Sequence, residues 1–389
     1  MTEAAPVRLL TPAFVALTLS DLAYFTAAGV LIAATPLFAT GQLGAGEVGV
    51  GVAMGAFSIS TLLLRPWAGR WTDRHGRRLL LVGGAAAFAV VTLGHLMVDG
   101  LVALVVLRVL LGAAEAMYFV AGFAALADLA PPDRAGEALS LNSLALYVGI
   151  GTGPLLGQAL LQWRGFDAAW VGAVLLVAAA ALLATRVPET RAVTDDDAPP
   201  SPWLHRSAVL PGIALFCGVA AMAGFLAFAV LHARAIGIER WSGVLLLFGA
   251  TVVVCRLVFA KLPDRVGAAR LAAVALSVAA LGLLLVGTAQ SAVALLAATV
   301  VLAAGIAFVT PAVFAAVFTS VPATERGSAA ATTSIFIDLG LGGGPMLVGA
   351  LAAASSIPTS FVLAAALPLA GGLLLGVRGL HRVGAAPAA

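Results

Sequence analysis

The sequence predicts an all-α integral membrane protein, twelve transmembrane helices in two pseudo-symmetric six-helix bundles. Three observations carry this: the composition, the length of the apolar runs, and a repeat at a constant offset of 191 residues. The 389 residues are 62% hydrophobic and only 10% charged, with a mean hydropathy of +1.09. A soluble domain carries about 25% charged residues, so a chain of this composition cannot coat a globule with polar groups. Lipid is the solvent that suits it.

Runs long enough to span a bilayer, about 20 mostly apolar residues each, fall in order at 12–39, 46–68, 79–98, 101–129, 137–162 and 168–187. After a polar interruption they resume at 207–232, 242–262, 271–289, 291–319, 328–353 and 358–377. Each run is continuous and rich in Ala, Leu, Val and Gly. None shows the ten-residue apolar–polar alternation of a membrane β-barrel strand. No cleavable leader is expected, because the first apolar run is too long and lacks a small-residue cleavage site.

Orientation follows from the basic residues. With the N-terminus inside, the inner connections hold fifteen Lys and Arg and the outer ones only Arg164, Arg234 and Arg240. Both termini are therefore expected in the cytoplasm of a bacterial-type inner membrane. The same asymmetry accounts for the net charge of +3 without a nucleic-acid partner. Cys217 and Cys255 lie inside apolar runs, so no disulfide framework is expected. The five scattered histidines suggest no metal site. No cofactor is expected, and the absence of a Gly-rich Lys-Ser/Thr nucleotide loop points to a gradient as energy source.

The repeat divides the chain. Adding 191 takes Arg65 to Arg256, Asp73 to Asp264, Arg74 to Arg265, Gly76 to Gly267, Gly149 to Gly340, Gly153 to Gly344 and Pro154 to Pro345. A constant register over four spans implies halves with equal loop lengths: 1–189 as the N-terminal bundle, 190–206 as a polar linker, and 207–389 as the C-terminal bundle. Parallel repeats of this kind belong to secondary transporters, with the site at the repeat interface near mid-membrane. Six plus six helices enclose a pathway within one chain, so a monomer is expected.

The stretch "GRWTDRHGRR" at 69–78 concentrates charge in an otherwise apolar chain, and "AKLPDRVGAAR" repeats it 191 residues on. Gly69, Asp73, Arg74, Gly76, Arg77 and Arg78 resemble the loop signature that follows span two in the major facilitator superfamily, and the resemblance covers nearly the whole chain. It implies a gating loop including Asp73, Arg77, Asp264 and Arg265, with Asp128 at the end of span four as a further partner. Glycine permits a tight turn and close helix approach; Asp73 is suited to accept from the amides that open the next helix. In span five, "YVGIGTGPLLGQAL" places Gly149, Gly153, Pro154 and Gly157 in a pattern similar to the family's antiporter motif, which implies export. Arg108 and Gly112 are similar to its fourth-span signature, with Leu111 where glutamine is common.

Ionisable groups inside spans are costly and point to function. The acids near mid-membrane are Asp21, Glu115 and Asp338, with Arg108 as the buried base. None of these is duplicated by the repeat, so scaffold ancestry alone does not explain them. An acid that alternately faces the two sides can carry protons, and Glu115 ranks first, then Asp338. Tyr24, Phe25, Phe119, Asn142 and Tyr147 are candidate cavity residues, suited to amphipathic and especially cationic molecules. The expected function is proton-coupled export of a lipophilic or cationic small molecule. The alternatives are symport or uniport of a sugar, organic acid or other metabolite, and, from another class, a non-transporting receptor or enzyme.

Overall fold

Long apolar segments in lipid must satisfy every backbone group internally, which leaves helices as the available structure for this composition. The computed structural model describes residues 9–131, 135–190, 205–259, 262, 266–321 and 326–383. Helix α1 (Pro12–Gly41) starts at Thr11, whose hydroxyl accepts from the Phe14 amide, with proline in the first turn. It is followed by α2 (Glu47–His75), α3 (Arg77–Leu93) with a 3-10 turn at Gly94–Met97, and α4 (Leu101–Leu129). The run Ala135–Ala184 is helical except at Arg164 and Gly165, where the backbone breaks. There the chain folds back, bringing Gly172 against the Leu160 side chain. We call its two arms α5 (135–163) and α6 (166–184).

The second half comprises α7 (Arg206–Ala235), α8 (Ser242–Val258), α9 (Ala268–Thr288), α10 (Ala292–Ser320) and α11 (Arg326–Ala354). The last crossing is formed by α12 (Ile357–Ala364) and α13 (Ala366–Val383) in succession. Among the described residues, ten helices are long and apolar enough to cross a membrane, and Ser242–Val258 is a shorter apolar one. With the break in the fifth of the ten, the chain crosses twelve times.

The packing repeats with the sequence. In the first half α1 lies along α5, while α2 and α3 pack on α4. In the second half α7 lies along α11, while α8 and α9 pack on α10. Each half closes around aromatic side chains: Tyr24, Phe88 and Tyr118 in one, Phe225, Phe248 and Phe361 in the other. The halves meet along a seam where α2 faces α11 and α5 faces α8, with α1 beside α7.

One expectation is corrected here. The charged signature at 69–78 is helix rather than loop. Helix α2 continues past residue 68 to His75, and only Gly76 interrupts before α3 begins at Arg77. Arg74 and His75 sit in the last turn of α2, where positive charge complements the helix dipole. Gly76 has φ +97°, a conformation reserved for glycine that stops the helix.

Candidate functional site

The seam carries charged side chains well inside the spans. Arg65 on α2 pairs with Asp338 on α11, Nη1 to Oδ2 at 2.9 Å. Counting 1.5 Å per residue, Arg65 lies about 15 Å from the end of α2 and Asp338 about 18 Å from the start of α11, at similar depth. On the other side of the seam, the Arg256 guanidinium of α8 stands 4.3 Å from the centre of the Tyr147 ring of α5. These contacts are mates under the repeat, since Arg65 maps to Arg256 and Tyr147 to Asp338. Both mates cross from one bundle to the other. One is an ion pair, and the other sets a cation on a phenol.

Closer to the α1–α2 and α7–α8 turns, the seam is tight. Gly51 and Gly55 fit against Pro345, Gly342 and Met346, Gly349 lies on Glu47 and Gly51, and Gly151 opposes Gly249. Gln158 adds a polar clamp: its Nε2 donates to the Glu239 carbonyl at 2.9 Å, and its Oε1 accepts from the Ser242 amide at 3.0 Å. Every close glycine contact across the seam lies on this side of the arginine level.

Glu115 on α4 is buried. The groups that face its carboxyl are the Tyr24 hydroxyl, the Arg65 guanidinium, and the carboxyls of Asp21 and Asp338. Arg65 is thus paired with an acid of the opposite bundle and exerts its charge on an acid of its own. Its guanidinium also lies over Phe119, one turn beyond Glu115, at 4.9 Å.

Asp21 is held differently. Tyr118 donates to its Oδ1 at 2.8 Å and Asn142 to its Oδ2 at 2.7 Å. The Thr18 hydroxyl donates to Asn142 Oδ1, and Ser20 lies 2.8 Å from the Tyr118 hydroxyl. The whole cluster is inside the first bundle. Tyr24 is fully buried and stacked on Tyr118 at 3.9 Å, with Phe25 edge-on beside it. Tyr24 and Asn142 thus serve as packing and hydrogen-bonding residues in this state; Tyr147 and Phe119, under their arginines, are the cavity candidates at the seam. Tyr118, Ser20 and Thr18 had no place in the sequence expectation.

Arg108 is a buried base within a span. Among the described residues it contacts no carboxylate: its Nε donates to the Ala53 carbonyl at 3.1 Å, and its guanidinium covers Phe57 at 4.7 Å. Helices α2 and α4 thus exchange arginines, Arg65 onto Phe119 and Arg108 onto Phe57. A cation on an aromatic face retains part of its electrostatic stabilisation away from water.

At the opposite end of α2 the gating-loop residues form a tight group. Arg77 Nε meets Asp128 Oδ2 at 3.2 Å, and Thr190 donates to the same oxygen at 2.8 Å. Glu189 accepts from the amides of Arg77 and Arg78 at 2.8 and 3.2 Å. Its carboxylate sits on the first free amides of α3, the position suited to negative charge. That role was expected of Asp73, whose side chain lies outside the described residues, as do Asp264 and Arg265. Gly69 is not needed for close approach, because a Cβ there would meet open space. At Gly76 a Cβ would strike the Glu189 carboxyl.

The span-five glycines pack within their own bundle. Gly149 and Gly153 fit against Phe25, Thr26 and Gly29 of α1, and Gly157 against Val30; Pro154 sits inside the helix. In the second half Gly340 and Gly344 fit against Val219 and Ala220 of α7. Gly29 maps onto Ala220 under the repeat, so the packing partner is repeated with the motif.

Two six-helix bundles that meet along a charged seam, tight at one end, are an architecture of secondary transporters. The chain matches the family model for the Major Facilitator Superfamily over residues 17–286 and 241–386, and it belongs to that superfamily. It is 32% identical to an MFS-type transporter of Pseudomonas aeruginosa (strain LESB58), covering 91% of this chain and 89% of the relative. Its identity to the MFS-type transporter YhhS of Escherichia coli (strain K12) is 28%, over the same shares. Among solved structures, its fold is similar to a bacterial homolog of the human lysosomal transporter Spinster in an inward-facing and occupied conformation. The TM-score is 0.79 at 15% identity, covering 94% of this chain and 96% of that one. The chain is a multi-pass membrane transporter and not an enzyme.

Proposed function

We propose that this transporter exports a small amphipathic organic molecule in exchange for protons, acting as a monomer in a bacterial inner membrane with both termini cytoplasmic. The basic residues of the connecting segments support this orientation, which makes the tight end of the seam the outer face and the state described an inward-facing one. The span-five glycine–proline pattern supports export.

The observation that carries the proton assignment is the Arg65–Asp338 ion pair across the seam, with Glu115 buried on the adjoining helix of the Arg65 bundle. In the inward-facing state Asp338 is ionised and paired across the seam. Outward opening parts α2 from α11, so Arg65 stays with its own bundle, beside Glu115. Asp338 then loses its counter-ion and takes a proton from outside. When the outer end closes, the guanidinium returns to Asp338 and its proton leaves inward. Asp21, held by Tyr118 and Asn142, anchors α1 to α4 and α5.

The lipophilic-or-cationic expectation for the substrate meets an obstacle in this state, because the seam carboxylate a cation needs is already paired with Arg65. The partly exposed Arg256 has no such partner among the described residues, which favours the organic-acid reading of the substrate. The coupling is tested in proteoliposomes with a fluorescent pH indicator. A panel of organic cations, neutral molecules and acids should include compounds whose addition dissipates an imposed pH gradient. Glu115→Gln and Asp338→Asn should each abolish that proton flux while inserting normally. Flux retained in both variants rejects the assignment.

A further inference from the structure

The seam holds one asymmetry that the repeat makes legible. Arg65 and Arg256 occupy equivalent positions, and each reaches across to the opposite bundle. Arg65 finds the carboxylate of Asp338; Arg256, at the equivalent place, finds the neutral phenol of Tyr147, its ring and its hydroxyl. Its one hydrogen bond to the backbone runs from Nε to the Ala307 carbonyl at 3.2 Å. The side chain is partly exposed and forms no ion pair among the described residues. Arg108, a second arginine within the spans that contacts no acid among the described residues, is buried beneath Phe57 and out of reach.

We propose that Arg256 binds the anionic group of the substrate, and that the transported molecule is an organic anion bearing a carboxylate. The proposal rests on reading the seam as the substrate path, and it names the substrate class for that path.

An arginine kept within a membrane protein is costly unless an anion or a cavity meets it. The repeat shows what the position can hold, since its mate is filled by a protein carboxylate. Two terminal nitrogens in a planar fork match a carboxylate in bidentate geometry, and such charge-assisted bonds are shorter and stronger than neutral ones. Tyr147 supplies an apolar face on which an aromatic or aliphatic body can rest while the head group meets the guanidinium. The charge balance is consistent too. Arg65 is neutralised from within the protein, so an entering anion is drawn to Arg256 rather than to its mate. Protein and substrate then supply one carboxylate to each seam arginine.

The test uses binding, without a gradient, so that loss of proton coupling and loss of anion recognition are read separately. The full chain, purified in detergent, is titrated with matched pairs: benzoate and benzamide, 1-naphthoate and 1-naphthamide, 4-phenylbutyrate and 4-phenylbutyramide. Thermal stabilisation is the readout. At least one carboxylate should stabilise the protein where its amide does not. Arg256→Gln should weaken that binding about tenfold or more, as expected for losing a charge-assisted bond, and Arg256→Lys should restore part of it. Tyr147→Asp should weaken it as well, because it supplies from the protein the carboxylate that the ligand otherwise brings. Should Arg256→Gln melt early, Tyr147→Asp and Arg256→Lys still report on the site. The proposal is overturned if no carboxylate outperforms its amide, or if binding is unchanged in Arg256→Gln and Tyr147→Asp.

Discussion

Gly69 and Gly76 belong to one charged motif, yet they differ in what the missing Cβ is for. Gly76 holds φ +97° and ψ 158°, backbone that is essentially confined to glycine and costs other residues about 1–3 kcal/mol. A Cβ there would also strike the carboxylate that caps α3. Gly76→Ala should lower the apparent melting temperature in detergent, whereas Gly69→Ala, facing open space, should leave it unchanged. Equal effects of the two would remove Gly76 from its structural role. Other single residues were legible in the sequence because they were chemically out of place: Asp21, Glu115 and Asp338 stand out in apolar helices. Their partners were not legible. Asp21 meets Tyr118 and Asn142 across 97 and 121 positions, and neither a tyrosine nor an asparagine in a span announces its partner. Glu189 was equally silent, because the helix it caps begins 112 residues earlier.

Helix pairs follow the repeat more closely than single residues do. The closed end of the seam is built twice, from α5 on α8 and from α2 on α11. Gln158 maps onto Gly349 and Ser242 onto Gly51, and both pairs are in contact. One contact is a hydrogen-bonded clamp and the other a glycine touching a helix start. In the proposed orientation the clamp lies at the outer end, and it must open whenever that end does. Its two bonds are each worth about 1 kcal/mol, so Gln158→Leu should favour the outward-open state by several-fold or more. Faster alkylation of a cysteine placed at Ser242 by a membrane-impermeant reagent would report that shift; an unchanged rate would mean the clamp does not hold the closed end. The number of crossings and the constant offset were readable because lipid imposes span length and duplication preserves loop length. The length of α2 was not. Its last turns leave the apolar run, and hydropathy registers only the part in lipid.

At the scale of the whole molecule, two bundles meet along a seam whose mid-depth contacts are Arg65–Asp338 and Arg256–Tyr147. In our proposal the first couples the motion to protons, and the second is the seat for the substrate anion. The architecture was foreseeable from composition and repeat alone. The mating of Arg65 with Asp338 was not, although both residues were visible, because the offset relates positions within the halves and does not say which faces meet. The most direct test of proton-driven closure is the distance across the outer end. Spin labels at Gln42→Cys and Arg240→Cys, on a background lacking Cys217 and Cys255, should report a short distance at alkaline pH, where Asp338 is ionised and paired. The distance should lengthen on acidification. In Asp338→Asn, where no charge can hold Arg65, it should be long at every pH. A distance that ignores both pH and this substitution would contradict the account.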